Sequence, residues 1–141
     1  MQSFTQADYL TILTHTPAET VKQFADEIIP HLGEITVIQN RTGLVMLPYT
    51  DSAQGVPFHL GEILVAEAHV RLGNGSEGYA ACNGRDLLQA LAIALLDAAM
   101  QAQIQADSIT TFLNTQYSAQ QDADAQLLRQ VEATRVEMET F

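Results

Sequence analysis

From Phe58 to Leu72 apolar side chains take nearly every second place. One side of this stretch carries Phe58, Leu60, Leu64, Ala66, Ala68, Val70 and Leu72, broken once by the charged Glu62. The other side carries His59, Ile63, Val65, Glu67, His69 and Arg71. A period of two over such a length marks a β-strand packed on one face. Gly73-Asn74-Gly75 then supplies hairpin-turn residues, and residues 76–82 read as a shorter antiparallel partner. Gly78 beside Tyr79 in that partner predicts a place where another backbone comes close. Beyond Arg85 the period changes. Leu87, Leu88, Leu91, Leu95, Ala98 and Ala102 recur at three- and four-residue steps, the spacing of a helix. A strand pair running directly into an apolar helix predicts an α+β domain.

The rest of the chain is arranged around this nucleus. Thr5 ahead of Asp8 predicts a capped helix over 3–14, with Tyr9, Ile12 and Leu13 as its apolar stripe. Thr16-Pro17-Ala18-Glu19 has the form of a capping box with proline at the first helical position. Val21, Phe24, Ala25 and Ile28 follow on one face, and Pro30 ends that helix near Ile29. Residues 34–39 and 44–49 read as two strands joined by a turn at Asn40-Arg41-Thr42-Gly43, with a loop at 51–55. The expected architecture is α+β, a four-stranded antiparallel β-sheet flanked by N-terminal and C-terminal helices, in a single domain over 1–141. Its parts are N-terminal helices in 1–31, the sheet in 33–83, a long apolar helix in 85–106 and a C-terminal helix in 118–139. Residues 107–118 read as a polar connection between the last two. The final helix carries only a thin stripe of Leu127, Leu128, Val131 and Val136, which suits docking on a partner or weak order.

The apolar helix lacks a polar face, since Asp97 is its one charge between Ala90 and Met100. A single small sheet covers such a helix poorly, so burial partly against another chain is expected. Ala94 and Ala98, four residues apart on one side, would form that contact.

Charge narrows the function classes. Six basic residues face seventeen acidic ones, for a formal net charge of −11. Such a chain repels polyanions and has little with which to hold nucleic acid. Its basic residues, Lys22, Arg41, Arg71, Arg85, Arg129 and Arg135, are scattered and form no phosphate cluster. An acidic surface suits solubility or a basic partner. No secretion signal opens the sequence, Asp97 interrupts the best candidate for a membrane span, and Cys82 is alone. A cytoplasmic protein with no nucleic-acid or membrane partner is expected.

Chemistry-bearing groupings are few. His59, Glu67 and His69 share one side of the long strand, but the two histidines lie about 33 Å apart along an extended strand. Zinc sites need three or four convergent ligands, so no metal is expected. Cys82 has no histidine near it in sequence and reads as a buried, inert thiol. Gly73-Asn74-Gly75 lacks the Lys-Ser/Thr ending of a phosphate loop. Gly84-Arg85-Asp86 places an acid at a helix start, where the helix dipole favours it, with Arg85 as the basic residue best placed to touch an anion. No catalytic, cofactor-binding or metal residue is assigned. The residues expected to meet a partner are Glu67, His69, Arg71, Tyr79, Arg85, Ala94 and Ala98.

These same stretches carry a family likeness. Thr42-Gly43-Leu44-Val45, Phe58-His59-Leu60-Gly61-Glu62, the run EAHVRL from Glu67, Gly78-Tyr79, Gly84-Arg85-Asp86 and Leu95-Leu96-Asp97-Ala98 resemble the G subunit of the carbon–phosphorus lyase system for phosphonate breakdown. So do Leu13-Thr14-His15-Thr16 and Glu132-Ala133-Thr134-Arg135-Val136-Glu137, while Met138 stands where the family often has an aromatic residue. The resemblance implies an accessory subunit of a core complex. In that family the complex joins ATP and an alkylphosphonate, such as methylphosphonate, into a ribose 1-phosphonate 5-triphosphate and displaces adenine. It implies a direct partner, the large I subunit, with the H and J subunits completing the core. The iron–sulfur cluster and S-adenosylmethionine would belong to another subunit, and no cofactor to this chain. The alternative left by the residues alone is a self-sufficient binding module or homodimer without an enzymatic role.

Overall fold

The computed structural model describes residues 2–50 and 57–139, with the side chains at 47–50, 57–60 and 135–139 left aside. The loop expected at 51–55 and the side chains of Phe58, His59, Leu60 and Val136 lie outside the described residues. The elements in chain order are α1 (Gln6–His15), α2 (Ala18–Ile28) ending in a 3-10 turn (Ile29–His31), β1 (Ile35–Thr50), β2 (Pro57–Leu72), β3 (Glu77–Asn83), α3 (Leu87–Gln101) and α4 (Ala106–Glu139). The fold is α+β, and the sheet is antiparallel with strand order β1-β2-β3.

Among the described residues the sheet has three strands, not four. Residues 34–39 and 44–49 do not form separate strands; both fall within β1. Asn40, Arg41, Thr42 and Gly43 pair in register with Ala68, Glu67, Ala66 and Val65. Local turn chemistry yields here because β2 offers an unbroken partner of the same length, 16 residues. Each further pair adds a ladder contact, and the side chains opposite each other favour the extended register. Arg41 and Glu67 are one such opposed pair.

Thr5 caps α1 as expected, its hydroxyl accepting the Asp8 N–H at 3.3 Å. The capping box at Thr16 does not form. Thr16 instead donates back to the Ile12 carbonyl at 2.7 Å and ends α1, and Pro17 caps α2 without a side-chain bond. The long apolar helix starts at Leu87 rather than Arg85, because Asp86 is its N-cap and accepts the Gln89 N–H at 3.0 Å. It ends at Gln101, short of 106. There Gln103 turns left-handed (φ 60°), while Gln103 N–H bonds Met100 O and Ile104 N–H bonds Ala99 O. That pair of bonds closes the helix in a Schellman turn.

Residues 107–118 are not a connection. They are the first turns of α4, which runs from Ala106 rather than 118. Ile109 and Leu113 are fully buried, and the Phe112 ring stacks on Phe24 of α2 at 4.1 Å between centroids. Gln120 of α4 donates to the Ile12 carbonyl at 3.0 Å and so ties α4 to α1. Those contacts, with α1 and α2, cover α3. Ala90, Ile93, Ala94, Leu96, Ala98 and Ala99 are all completely buried within this one chain. The expectation that Ala94 and Ala98 face a partner is therefore corrected: both face β3.

The reason is Gly78. A Cβ built there would stand 2.0 Å from the Ala94 carbonyl oxygen and 2.6 Å from the Ala98 nitrogen. Glycine on the strand and alanine on the helix bring the two backbones together, as the Gly-Tyr pair predicted. Asp97, buried at 1% exposure, locks the approach. It accepts the Tyr79 backbone N–H at 3.0 Å, the Gln6 side-chain amide at 3.2 Å and the Tyr9 hydroxyl. Burial and the Asp97 carboxylate push the Tyr9 phenol well up from its ordinary value, so it stays a donor. One carboxylate thus joins α1, α3 and β3.

Gly78→Ala forces a methyl into helix backbone that cannot swing aside. We expect it to destabilise the free chain by at least about 2 kcal/mol, at the upper part of the range for overpacking. Denaturant unfolding measures this; an unchanged midpoint would mean that α3 does not lie on β3 at this distance.

Candidate functional site

The helices cover one face of β2 and β3, and among the described residues nothing covers the opposite face of the sheet. Alternation along β2 sends Ala66, Ala68, Val70 and Leu72 inward and Glu67, His69 and Arg71 outward. β3 alternates likewise, with Gly78, Ala80 and Cys82 in and Glu77, Tyr79 and Ala81 out. The register then sets side chains opposite one another: Arg41 with Glu67, His69 with Tyr79, and Arg71 with Glu77.

Two linked clusters result. Glu67 accepts from Arg41 Nε at 2.5 Å and from the Tyr79 hydroxyl at 2.7 Å. Glu77 accepts from Arg71 at 2.8 Å, and His69 Nε2 stands 3.6 Å from the same carboxylate oxygen. The His69 and Tyr79 rings meet edge to face at 6.3 Å. Hydrogen bonds from Arg41 and Tyr79 hold the Glu67 carboxyl below its ordinary 4.5, and Arg71 does the same for Glu77. The bond to Glu67 pushes the Tyr79 phenol up, so it donates and does not ionise near neutrality.

Of the residues expected to meet a partner, the structure brings Glu67, His69, Arg71 and Tyr79 together on this face. Arg85 is exposed in the corner between β3 and α3, outside the cluster's bonds among the described residues. The helix start beside it is already satisfied: Asp86 caps α3 and pairs with Lys22 of α2 at 2.8 Å. Ala94 and Ala98 are in the core. Sequence reasoning missed Arg41 and Glu77 as members of the cluster. Both lie directly across from β2 residues, so a continuous β1 would have revealed Arg41.

Other groups sit away from this face. Cys82 is buried, and burial with the nearby Asp86 carboxylate pushes its thiol up, which disfavours the reactive thiolate. Among the described residues no three of His, Cys, Asp and Glu stand close enough together to hold a metal ion. No helix among them is long and apolar enough to cross a membrane.

Comparison with known proteins agrees over most of the chain. A family model described as phosphonate metabolism protein PhnG matches residues 5–141. Over 101 residues the chain is 37% identical to a protein of Rhizobium meliloti (strain 1021), the alpha-D-ribose 1-methylphosphonate 5-triphosphate synthase subunit PhnG. The aligned stretch is 71% of this chain and 64% of that relative, less than two thirds of the relative's length.

Arg41→Gln tests the wiring of the face. Without the guanidinium, the Glu67 carboxyl should titrate closer to its ordinary 4.5, as followed by carbon NMR of the carboxyl groups. The sign follows from the depressed folded value: the cluster's stabilisation is present above the unfolded value and lost as pH falls through the folded one. An unchanged Glu67 titration would mean that the two side chains do not pair in solution.

Proposed function

The chain belongs to the PhnG family of phosphonate metabolism proteins, and from that premise we propose that it is a subunit of an alpha-D-ribose 1-methylphosphonate 5-triphosphate synthase. It acts there as an accessory subunit that presents a surface and leaves the reacting groups to its partners. The reaction joins a phosphonate oxygen to the ribose C1 of ATP and breaks the bond to adenine, which leaves with the electron pair and takes up a proton. The direct partner is the large I subunit, with the H and J subunits completing the core.

One observation carries the accessory role. On the uncovered face the two carboxylates are taken up by neighbouring donors, Glu67 by Arg41 and Tyr79 and Glu77 by Arg71. Side chains paired across an exposed sheet face present a hydrogen-bonding surface to a partner. Arginine and tyrosine on an uncovered sheet face are the residue types that anchor protein–protein contacts. The formal charge of −11 suits a basic partner surface.

The test separates assembly from chemistry. Tyr79→Ala, chosen because Tyr79 is 47% exposed, should leave the free subunit folded. Binding to the other subunits should weaken by roughly thirtyfold, the size of an anchoring residue's contribution. Synthase turnover should return when the variant is supplied in saturating excess. Turnover that stays low in a fully assembled complex would place Tyr79 in the reaction and end the accessory reading.

A further inference from the structure

β1 is uncovered in three directions. Among the described residues it has one neighbour in the sheet, so its outer edge is free of any other of their strands. α3 lies over β3 and β2 and reaches β1 only slightly, so among the described residues the helix side of β1 is open as well. The opposite face is the bare face described above. The consequence is visible in the side chains: Val37 is 49% exposed, Leu44 62%, Val45 48% and Met46 48%. Beyond the Val65–Asn83 pair, where β3 stops, β1 and β2 continue as a two-stranded ribbon out to Thr50 and Pro57. A two-stranded ribbon alone is marginal in water.

The direction of the free backbone groups follows from the bonds on β2. Leu72 N–H bonds Ser76 O, and Leu64 O accepts from Gly84, so even-numbered residues of β2 point toward β3. Odd-numbered ones therefore point toward β1. Their partners Gln39, Arg41, Gly43 and Val45 are spent on the ladder. Asn40, Thr42, Leu44 and Met46 are left with their N–H and C=O groups aimed outward from the sheet. Natural edge strands are usually blunted by lysines, prolines or inward charges. The only charge within β1 is Arg41, and its proline, Pro48, lies near the far end.

We propose that the free edge of β1 takes an extended segment of another synthase subunit as a fourth strand, pairing along Asn40, Thr42, Leu44 and Met46. This rests on the reading of the chain as a synthase subunit. Charge chooses the occupant. A second copy would bring together two chains of −11 each, whereas an apolar strand flanked by lysine or arginine meets an acidic body around a nearly neutral edge. Main-chain bonds would supply affinity, and side chains seated against Leu44 and Met46 the selectivity.

Hydrogen exchange on the wild-type chain, alone and co-assembled with the other synthase subunits, is the primary test. The amides of Thr42 and Leu44 should slow at least tenfold on assembly, while those of Arg41 and Gly43, already in the ladder, change less. Thr42→Pro removes one outward N–H and leaves the ladder to β2 intact, a substitution an edge tolerates. It should keep the free chain's circular dichroism and weaken assembly at least tenfold, and Thr42→Val, which keeps the N–H, should assemble normally. Assembly without slowed exchange at Thr42 and Leu44 overturns the edge proposal and spares the subunit reading, whether or not Thr42→Pro folds. Slowing that appears in the isolated chain as its concentration rises assigns the edge to a second copy and also overturns it. A wild-type chain that joins none of the other subunits removes the subunit reading itself, and the edge proposal with it.

Discussion

The contact between Gly78 of β3 and the Ala94–Ala98 turn of α3 sets how the rest of the structure can be arranged. With no Cβ on the strand and small side chains on the helix, the backbones approach to a separation that no other residue at 78 allows. Asp97, one position before Ala98, then reaches the outward N–H of Tyr79 and occupies the edge of β3. The same carboxylate takes Tyr9 and Gln6, so α1 is fixed relative to the sheet by the group that fixes α3. A buried carboxylate without a cation persists only if donors satisfy it. Here a phenol, an amide and a backbone N–H do so, which makes it a joint for three elements.

That joint draws α3 toward β3 and away from β1. At the β3 edge the helix takes one outward N–H, that of Tyr79, while among the described residues the β1 edge is left open. Antiparallel sheets commonly leave one face to solvent. Among the described residues this sheet leaves a face, an edge and the helix side of one strand uncovered, and all three belong to or adjoin β1. The helical layer is internally complete where it meets the sheet. The second half of α4 is a further exposed element, with Leu127, Leu128 and Val131 in solvent. On the proposed reading as an accessory subunit, the chain folds through one side and would meet its partners through the other.

The alternation of β2 and the helical period after Arg85 were plain in the sequence, because each is a direct image of one-sided burial. So was the close approach at Gly78. The turn at Asn40-Arg41-Thr42-Gly43 misled because its residues suit a turn locally, while the force that extends them, a partner strand 16 residues long, comes from residues distant in sequence. The apolarity of α3 pointed to another chain only because the first turns of α4 went unrecognised. Ile109, Phe112 and Leu113 sit among polar residues whose helical stripe is short, yet they supply the missing cover. Asp97 was visible as the one acid in an apolar helix; what it bonds depended on α1 and β3 arriving beside it. On the outer face, Glu67, His69, Arg71 and Tyr79 could be grouped from alternation alone, but Arg41 could not join them while β1 was broken in two.

The central claim is that the uncovered sheet, and not the helical layer, faces the partner. Oxidative footprinting of the chain, free and within the assembled synthase, tests it most directly. Tyr79, Met46 and Leu88 are all well exposed in the free chain, at 47%, 48% and 62%. Tyr79 and Met46 report on the sheet and Leu88 on the helices. Assembly should shield Tyr79 and Met46 and leave Leu88 reactive. Shielding of Leu88 with Tyr79 and Met46 unchanged would contradict the account.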